Sequence, residues 1–377
     1  MKRLPGQVRD AILAVMGDSP QGATLSDIHS RVNALVGEVP ASSVRSYLRL
    51  NTPEQFVRME RAQYALRGFE DFEAQTRSGF AEERGFEFGA ATLFQCDCME
   101  WLSQRAPNSV HAVVTDPPYG MFEYSETQQQ KLRNGKGGVW RIPPSFDGSK
   151  RAPLPRFTVL KEADLFALER FFLQWAHRLL PVLVPGANVL VASNPLVSHV
   201  VAGALSRGGL ERRGELVRLV MTMRGGDRPK HAHQEFSDVS VMPRSMWEPW
   251  LIFRKPIEGR VQDNLRKWKT GGFRRISATK PFGDVIVSAP TRSAERKLAP
   301  HPSLKPQAFL RQLVRGALPL SEGLILDPFA GSGSTLAAAN AMGLASIGLE
   351  KDVEYFNVAQ RAIPKLSELK LTQSVAR

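Results

Sequence analysis

The feature that most constrains this chain is a nine-residue turn, Asp327-Pro328-Phe329-Ala330-Gly331-Ser332-Gly333-Ser334-Thr335. It lies between an apolar run, Leu324-Ile325-Leu326, and an Ala-rich segment of helical character, Thr335 to Met342. A strand that passes through a glycine-rich turn into a helix is the local unit of a parallel sheet covered by helices. Glycines at such a turn let backbone amides approach a ligand held at the helix N-terminus. The next apolar run, Ala345 to Leu349, ends at Glu350, about twenty residues on, where nucleotide-binding α/β folds keep an acid for ribose hydroxyls. No Gly-Lys-Ser/Thr follows, so this is not a Walker loop. Leu336 stands where a dinucleotide fingerprint would have its third glycine.

The pattern therefore fits an adenosine-containing ligand without a pyrophosphate, and S-adenosylmethionine is such a ligand. A second constellation, Thr115-Asp116-Pro117-Pro118-Tyr119-Gly120, closes the apolar strand that begins at His111. Open α/β sheets place their sites at the carboxyl ends of strands. An exocyclic amine on a nucleobase is a poor nucleophile because its lone pair is delocalised into the ring. Two acceptors on the amine protons, the Asp116 carboxylate and the Pro117 carbonyl, draw the nitrogen toward tetrahedral geometry. Proline holds that turn rigid and brings no competing N–H. Tyr119 offers an aromatic face to a base taken out of the stack.

Asp116-Pro117-Pro118-Tyr119 and Phe329-Ala330-Gly331-Ser332-Gly333 together resemble the two marks of the DNA amino-methyltransferases of bacterial restriction-modification systems. The catalytic mark precedes the cofactor mark, as in the family's β group, which reads its target between the two. The resemblance spans about residues 91 to 365. It implies a Rossmann-like α/β methyltransferase fold with a mixed, mainly parallel sheet. It also implies S-adenosylmethionine as cofactor and transfer to adenine N6 in double-stranded DNA, since Asp in the first position goes with adenine. Cytosine N4 remains the alternative, because both amines need the same chemistry; a DNA-binding regulator with an inactive domain is the second.

By the same resemblance, Asp97, His301, Ser303 and Lys305 join Asp327, Phe329, Ala330, Gly331, Ser332, Gly333, Ser334, Thr335 and Glu350 around the cofactor. Family analogy also implies a homodimer and leaves a separate restriction endonuclease open as a partner. Residues 225–300 fall where the family reads DNA. Arg224, Arg228, Lys230, Arg266, Lys267, Lys269, Arg274 and Arg275 are the candidate contacts there, suited to phosphates and base edges.

The remaining segments divide the chain into 1–70, a linker 71–90, a catalytic half 91–224, the reading region, and a cofactor-binding half 301–377. The first segment patterns as three helices, Val8 to Met16, Leu25 to Val36 with Ser26 as cap, and Ala41 to Leu50, followed by a hairpin. That order is winged-helix-like, and Arg45 and Arg49 on its third helix suit DNA, although such modules also dock proteins. Gly120 to Lys150 reads as a loop that orders on DNA.

A net charge of +13 favours a polyanionic partner. Cys96 and Cys98, the two cysteines, support neither a disulfide framework nor a zinc site, and no other metal set is evident. No apolar run approaches the ~20 residues that span a bilayer, so the chain reads as cytoplasmic.

Overall fold

A computed structural model describes residues 7–17, 19, 22–52, 56–60, 62–66, 84–118, 145–146, 149–150, 162–224, 228–229, 232–243, 245–301 and 303–371. The chain divides into two compact units, Met1–Glu82 and Glu83–Arg377.

The first unit contains α1 (Gln7–Gly17), β1 (Ala23–Thr24), α2 (Leu25–Val36), α3 (Ala41–Leu50), β2 (Phe56–Glu60) and β3 (Gln63–Leu66). Its strands form an antiparallel sheet in the order β1-β3-β2. The helices bury Ile12, Met16, Ile28, Val32, Val44 and Leu48 against Phe56 and Tyr64. Thr24, and not Ser26, caps α2: its Oγ1 accepts from the Asp27 N–H at 3.2 Å. Arg45 and Arg49 lie on the exposed side of α3.

The second unit runs β4 (Arg84–Phe88), β5 (Ala91–Gln95), α4 (Cys98–Gln104), β6 (Val110–Thr115), a short hairpin β7 (Ser145–Phe146) and β8 (Ser149–Lys150), then α5 (Glu162–Val182), β9 (Leu183–Ala192) and α6 (Ser198–Arg207). It continues through β10 (Glu211–Arg224), β11 (Ser245–Arg254), α7 (Val261–Trp268), β12 (Val285–Val287), α8 (Ser293–Leu298), α9 (Gln307–Ala317), β13 (Leu324–Asp327), α10 (Ser334–Ala341), β14 (Ala345–Glu350) and α11 (Val353–Ser367). Nine strands form one sheet in the order β12-β10-β11-β9-β6-β13-β14-β5-β4. The five from β9 to β5 are parallel throughout, and β11 and β4 flank them antiparallel. This is the mixed, mainly parallel α/β sheet expected from the sequence.

Both faces of the central strands are buried, which is why they read as continuous apolar runs. Val113, Val189 and Val191 face α5 and α6, whereas Val114, Leu190 and Ala192 face α9. Helix α5 contributes Leu168, Phe172, Trp175, Leu179 and Val182, a stripe at helical spacing.

Two segments differ from the sequence reading. Residues 84–88, taken as linker, pair with β5 as an edge strand. Within 225–300, residues 245–254 form an inner strand between β9 and β10. Most of the 120–150 loop lies outside the described residues. No helix among the described residues is long and apolar enough to cross a membrane.

The far end of the sheet is tied by Asn188, which is 1% exposed and donates Nδ2 to the carbonyls of Gly272 (2.7 Å) and Ala317 (2.9 Å). Removing that amide strands two carbonyls in a dry site. Asn188→Ala is therefore expected to lower unfolding stability by about 2–4 kcal/mol, read by urea denaturation.

Candidate active site

Strands β6 and β13 are neighbours, with Ile325 opposite Ala112 and Leu326 opposite Val113. From β6 the sheet continues outward to β9, and from β13 to β14 in the other direction. This divergence opens a crevice beyond the carboxyl ends of the two strands. Thr115 and Asp327 close it from below: Thr115 Oγ1 donates to Asp327 Oδ1 at 2.7 Å, and both are buried. Asp116 and the 328–335 turn are thereby set on opposite lips.

The crevice holds about 310 Å³ of empty space, partly open to solvent. Asp116, His301, Ser303, Lys305, Asp327, Phe329, Ala330, Gly331, Ser332, Ser334 and Thr335 line it, together with Leu304 and Leu310. Most residues singled out for catalysis and cofactor binding are thus brought to one place. Pro117 is buried and Pro118 half-buried beside Asp116. Tyr119 lies outside the described residues.

Gly333, at φ 75°, precedes α10, and Gly331 has φ 52°. The Gly331 N–H donates to Glu350 Oε2 at 2.7 Å, and the Asp352 N–H to Glu350 Oε1 at 2.8 Å. Burial pushes the Glu350 carboxyl up to about 7, against those two N–H donors and with help from Asp352 and Asp327. Burial likewise raises Asp327 to about 6, although Thr115, Thr335 and the Phe329 N–H favour its charged form. His301 is pushed down to about 4 by burial and by Lys305, with Asp352 opposing, so it is neutral at physiological pH. The Ser303 N–H donates to His301 Nδ1 at 3.2 Å, which leaves the ring proton on Nε2, facing Gly331.

Asp97 caps α4, accepting from the Met99 N–H at 2.7 Å, and its other oxygen accepts from Lys351 at 2.9 Å. It sits beside the Glu350 strand end, where the Cys96 N–H donates to the Glu350 carbonyl at 3.1 Å.

Lys305, in the crevice lining, also meets two carboxylates. Its ammonium donates to Asp116 Oδ2 at 2.7 Å and pairs with Glu248 Oε1 at 2.9 Å. Burial would lower the lysine pKa, but the two carboxylates lift it above its ordinary value. Glu248 in turn pairs with Arg218 at 2.8 Å. The sequence reading missed both residues. Their one signal is a single charge within each of two otherwise apolar strand segments.

The candidate DNA contacts differ in exposure and in partners. Arg266 pairs with Asp263 and Lys267 with Glu258, both exposed; Lys269 and Arg274 are half-buried; Arg228 and Arg275 are exposed. Arg224 ends β10, its side chain undescribed, and Lys230 lies outside the described residues.

A family model described as DNA methylase matches residues 220–361. The chain is 31% identical over 281 residues to Type II methyltransferase M2.LlaDCHI of Lactococcus lactis subsp. cremoris, spanning 74% of this chain and 91% of that protein. It belongs to the DNA amino-methyltransferase family. The methylase is also 24% identical over 292 residues to Type II methyltransferase M.HindIII of Haemophilus influenzae, covering 71% of this chain and 93% of the relative. A shorter match, 38% over 133 residues, covers 32% of this chain and 45% of DNA adenine methyltransferase YhdJ of Escherichia coli K12.

Within the methylase the turn tolerates no side chain at position 333. A Cβ there would lie 2.5 Å from Ile363 Cγ1, whereas one at Gly343, φ 68°, meets nothing within 4 Å. Gly343→Ala should lose about 1 kcal/mol from backbone strain alone. Gly333→Ala is expected to exceed that by about 1–3 kcal/mol, measured as the difference between their thermal unfolding midpoints.

Proposed function

We propose that this methylase transfers the methyl group of S-adenosylmethionine to adenine N6 in double-stranded DNA. The observation that carries the reading is the position of Asp116, at the switch point of the sheet and across the crevice from the glycine turn. The residues present suit the cofactor. A close backbone turn, a neutral His301 with Nε2–H toward Gly331, and the Glu350 carboxylate form a cradle for an adenosyl group with its ribose hydroxyls on the acid. Asp97 and Ser303 stand at its margins. When bound, S-adenosylmethionine supplies an electrophilic sulfonium methyl.

The chain's own residues position the nucleophile. Asp116 and the Pro117 carbonyl accept the two amine protons, so that the nitrogen lone pair points at the methyl carbon. With the cofactor bound, the methyl would pass from sulfur to this nitrogen, and Asp116 or water would take the surplus amine proton. Tyr119 is proposed to stack on the extruded base.

Adenine is preferred over cytosine because the first motif position is Asp, and the partial likeness to a DNA adenine methyltransferase agrees. Arg45 and Arg49 are proposed to add phosphate contacts, as are the exposed Arg228 and Arg275.

Nucleoside mass spectrometry of DNA treated with the protein and S-adenosylmethionine is expected to show N6-methyladenine. Asp116→Ala should slow the reaction by about 10²- to 10³-fold. N4-methylcytosine would reverse the base assignment, and no methylated base on varied DNA would overturn the enzymatic reading.

Glu350 gives the cofactor site a pH dependence. Its protonated form has one acceptor fewer for ribose hydroxyls, so cofactor affinity should weaken as pH falls through about 7. Calorimetry between roughly pH 6 and 8 is expected to show that decline in the wild type and a flatter profile in Glu350→Gln. Equal slopes in the two proteins would remove Glu350 from the ribose site.

A further inference from the structure

Four largely buried charges form a chain of successive pairs that begins at the crevice wall. Asp116 follows β6, Lys305 lies ahead of α9, Glu248 is on β11 and Arg218 on β10. Their side chains are between 7% and 15% exposed, and the successive pairs measure 2.7, 2.9 and 2.8 Å. Sheet register places Arg218 directly opposite Glu248, so this contact is a cross-strand pair fixed by the backbone. The guanidinium is held on its other sides as well. Nε donates to Ser288 Oγ at 3.1 Å and Nη2 to the Ala289 carbonyl at 3.3 Å, and Cζ lies 5.0 Å from the centre of the Phe309 ring. Each buried ion loses several kcal/mol of hydration, so such a chain persists only where every member is matched.

The geometry points to Glu248 as a positioning residue for methyl transfer: anchored by Arg218, it holds the Lys305 ammonium on Asp116 Oδ2 and so fixes how that carboxylate meets the target amine. This rests on the reading of Asp116 as the acceptor of the amine protons. Two of the three N–H donors of the Lys305 ammonium are directed at these two carboxylates. With one oxygen of Asp116 taken by a fixed ammonium, the carboxylate has one orientation in which to receive the base. Glu248 touches neither base nor cofactor in this scheme and acts through Lys305 alone.

The tests use the full-length chain with DNA and S-adenosylmethionine. Glu248→Gln keeps the shape but leaves one anion facing two cations. The charged and titratable groups around the Lys305 ammonium are then Asp116 and Arg218, with His301 on its own segment and Asp327 behind Asp116. The variant is expected to lower kcat about 10- to 100-fold while leaving the KM for DNA and the cofactor Kd within about threefold. It should also lose activity toward alkaline pH about one unit earlier than the wild type, as Lys305 gives up its proton more readily. Adding Arg218→Met removes the surplus positive charge and should move that alkaline limb back up, recovering about threefold or more of kcat. Glu248→Asp keeps the charge at shorter reach and should lower kcat without moving the limb.

Wild-type kcat and pH profile in Glu248→Gln would overturn the inference while the proposed activity stands. So would a loss that appears chiefly in cofactor Kd, or one accompanied by unfolding and not relieved in the double variant. An inactive wild type, seen in the same assay, would instead overturn the reading on which the inference rests.

Discussion

Thr115 and Asp327 stand 212 residues apart in the chain, and their side chains meet at 2.7 Å only when β6 and β13 pair in the observed register. A slip of one residue in either strand would turn its side chain to the opposite face of the sheet and break the contact. Everything in the crevice hangs from this bond, because Asp116 is the next residue on one strand and the glycine turn is the next segment on the other. Asp327 also accepts from the Phe329 N–H at 3.2 Å, so a single carboxylate both seals the two strands and starts the turn. Its burial explains why such a group raises its own pKa and yet keeps three donors around it.

The walls of the crevice handle charge in two ways. On the Asp116 side, each ion has an opposite ion within hydrogen-bond reach, and Lys305 rises above its ordinary pKa despite burial. On the glycine-turn side, burial moves two ionisable groups toward neutrality: His301 falls to about 4 and Glu350 climbs to about 7. Lys305 connects the two behaviours, since its fixed positive charge helps to keep His301 unprotonated. A neutral imidazole with its proton on Nε2 is a donor without charge, which suits a wall facing an adenosyl group better than an imidazolium would beside a sulfonium.

The two motifs were legible because their chemistry is local. Gly331 and Gly333 announce backbone angles that other residues rarely adopt, and Pro117 and Pro118 announce a rigid turn. Glu248 and Arg218 were not legible because their role depends on strand pairing across the sheet. The segment Trp247-Glu248-Pro249-Trp250 contains two poor strand formers and reads as irregular, yet pairing with β10 and β9 on either side makes it a strand. The Pro249 carbonyl still accepts from the Ser193 N–H at 2.9 Å, which shows how the sheet absorbs the proline. Lys305 is found by its motif, but its pairing with Asp116 and Glu248 is not, since sequence shows spacing along the chain and not which carboxylates converge from other strands.

Charge also separates the two units. Through residue 82 the lysines and arginines equal the acids in number, so the whole excess of +13 belongs to residues 83–377. Long-range attraction to a polyanion is therefore a property of the unit that holds the crevice. Any grip of the first unit on DNA has to come from local pattern, and α3 has it: Arg45 and Arg49 are exposed one turn apart on a helix that contains no acid. Local pattern of this kind acts only within about a Debye length, so it cannot draw the chain to DNA from a distance but can add to contact once the second unit has made it.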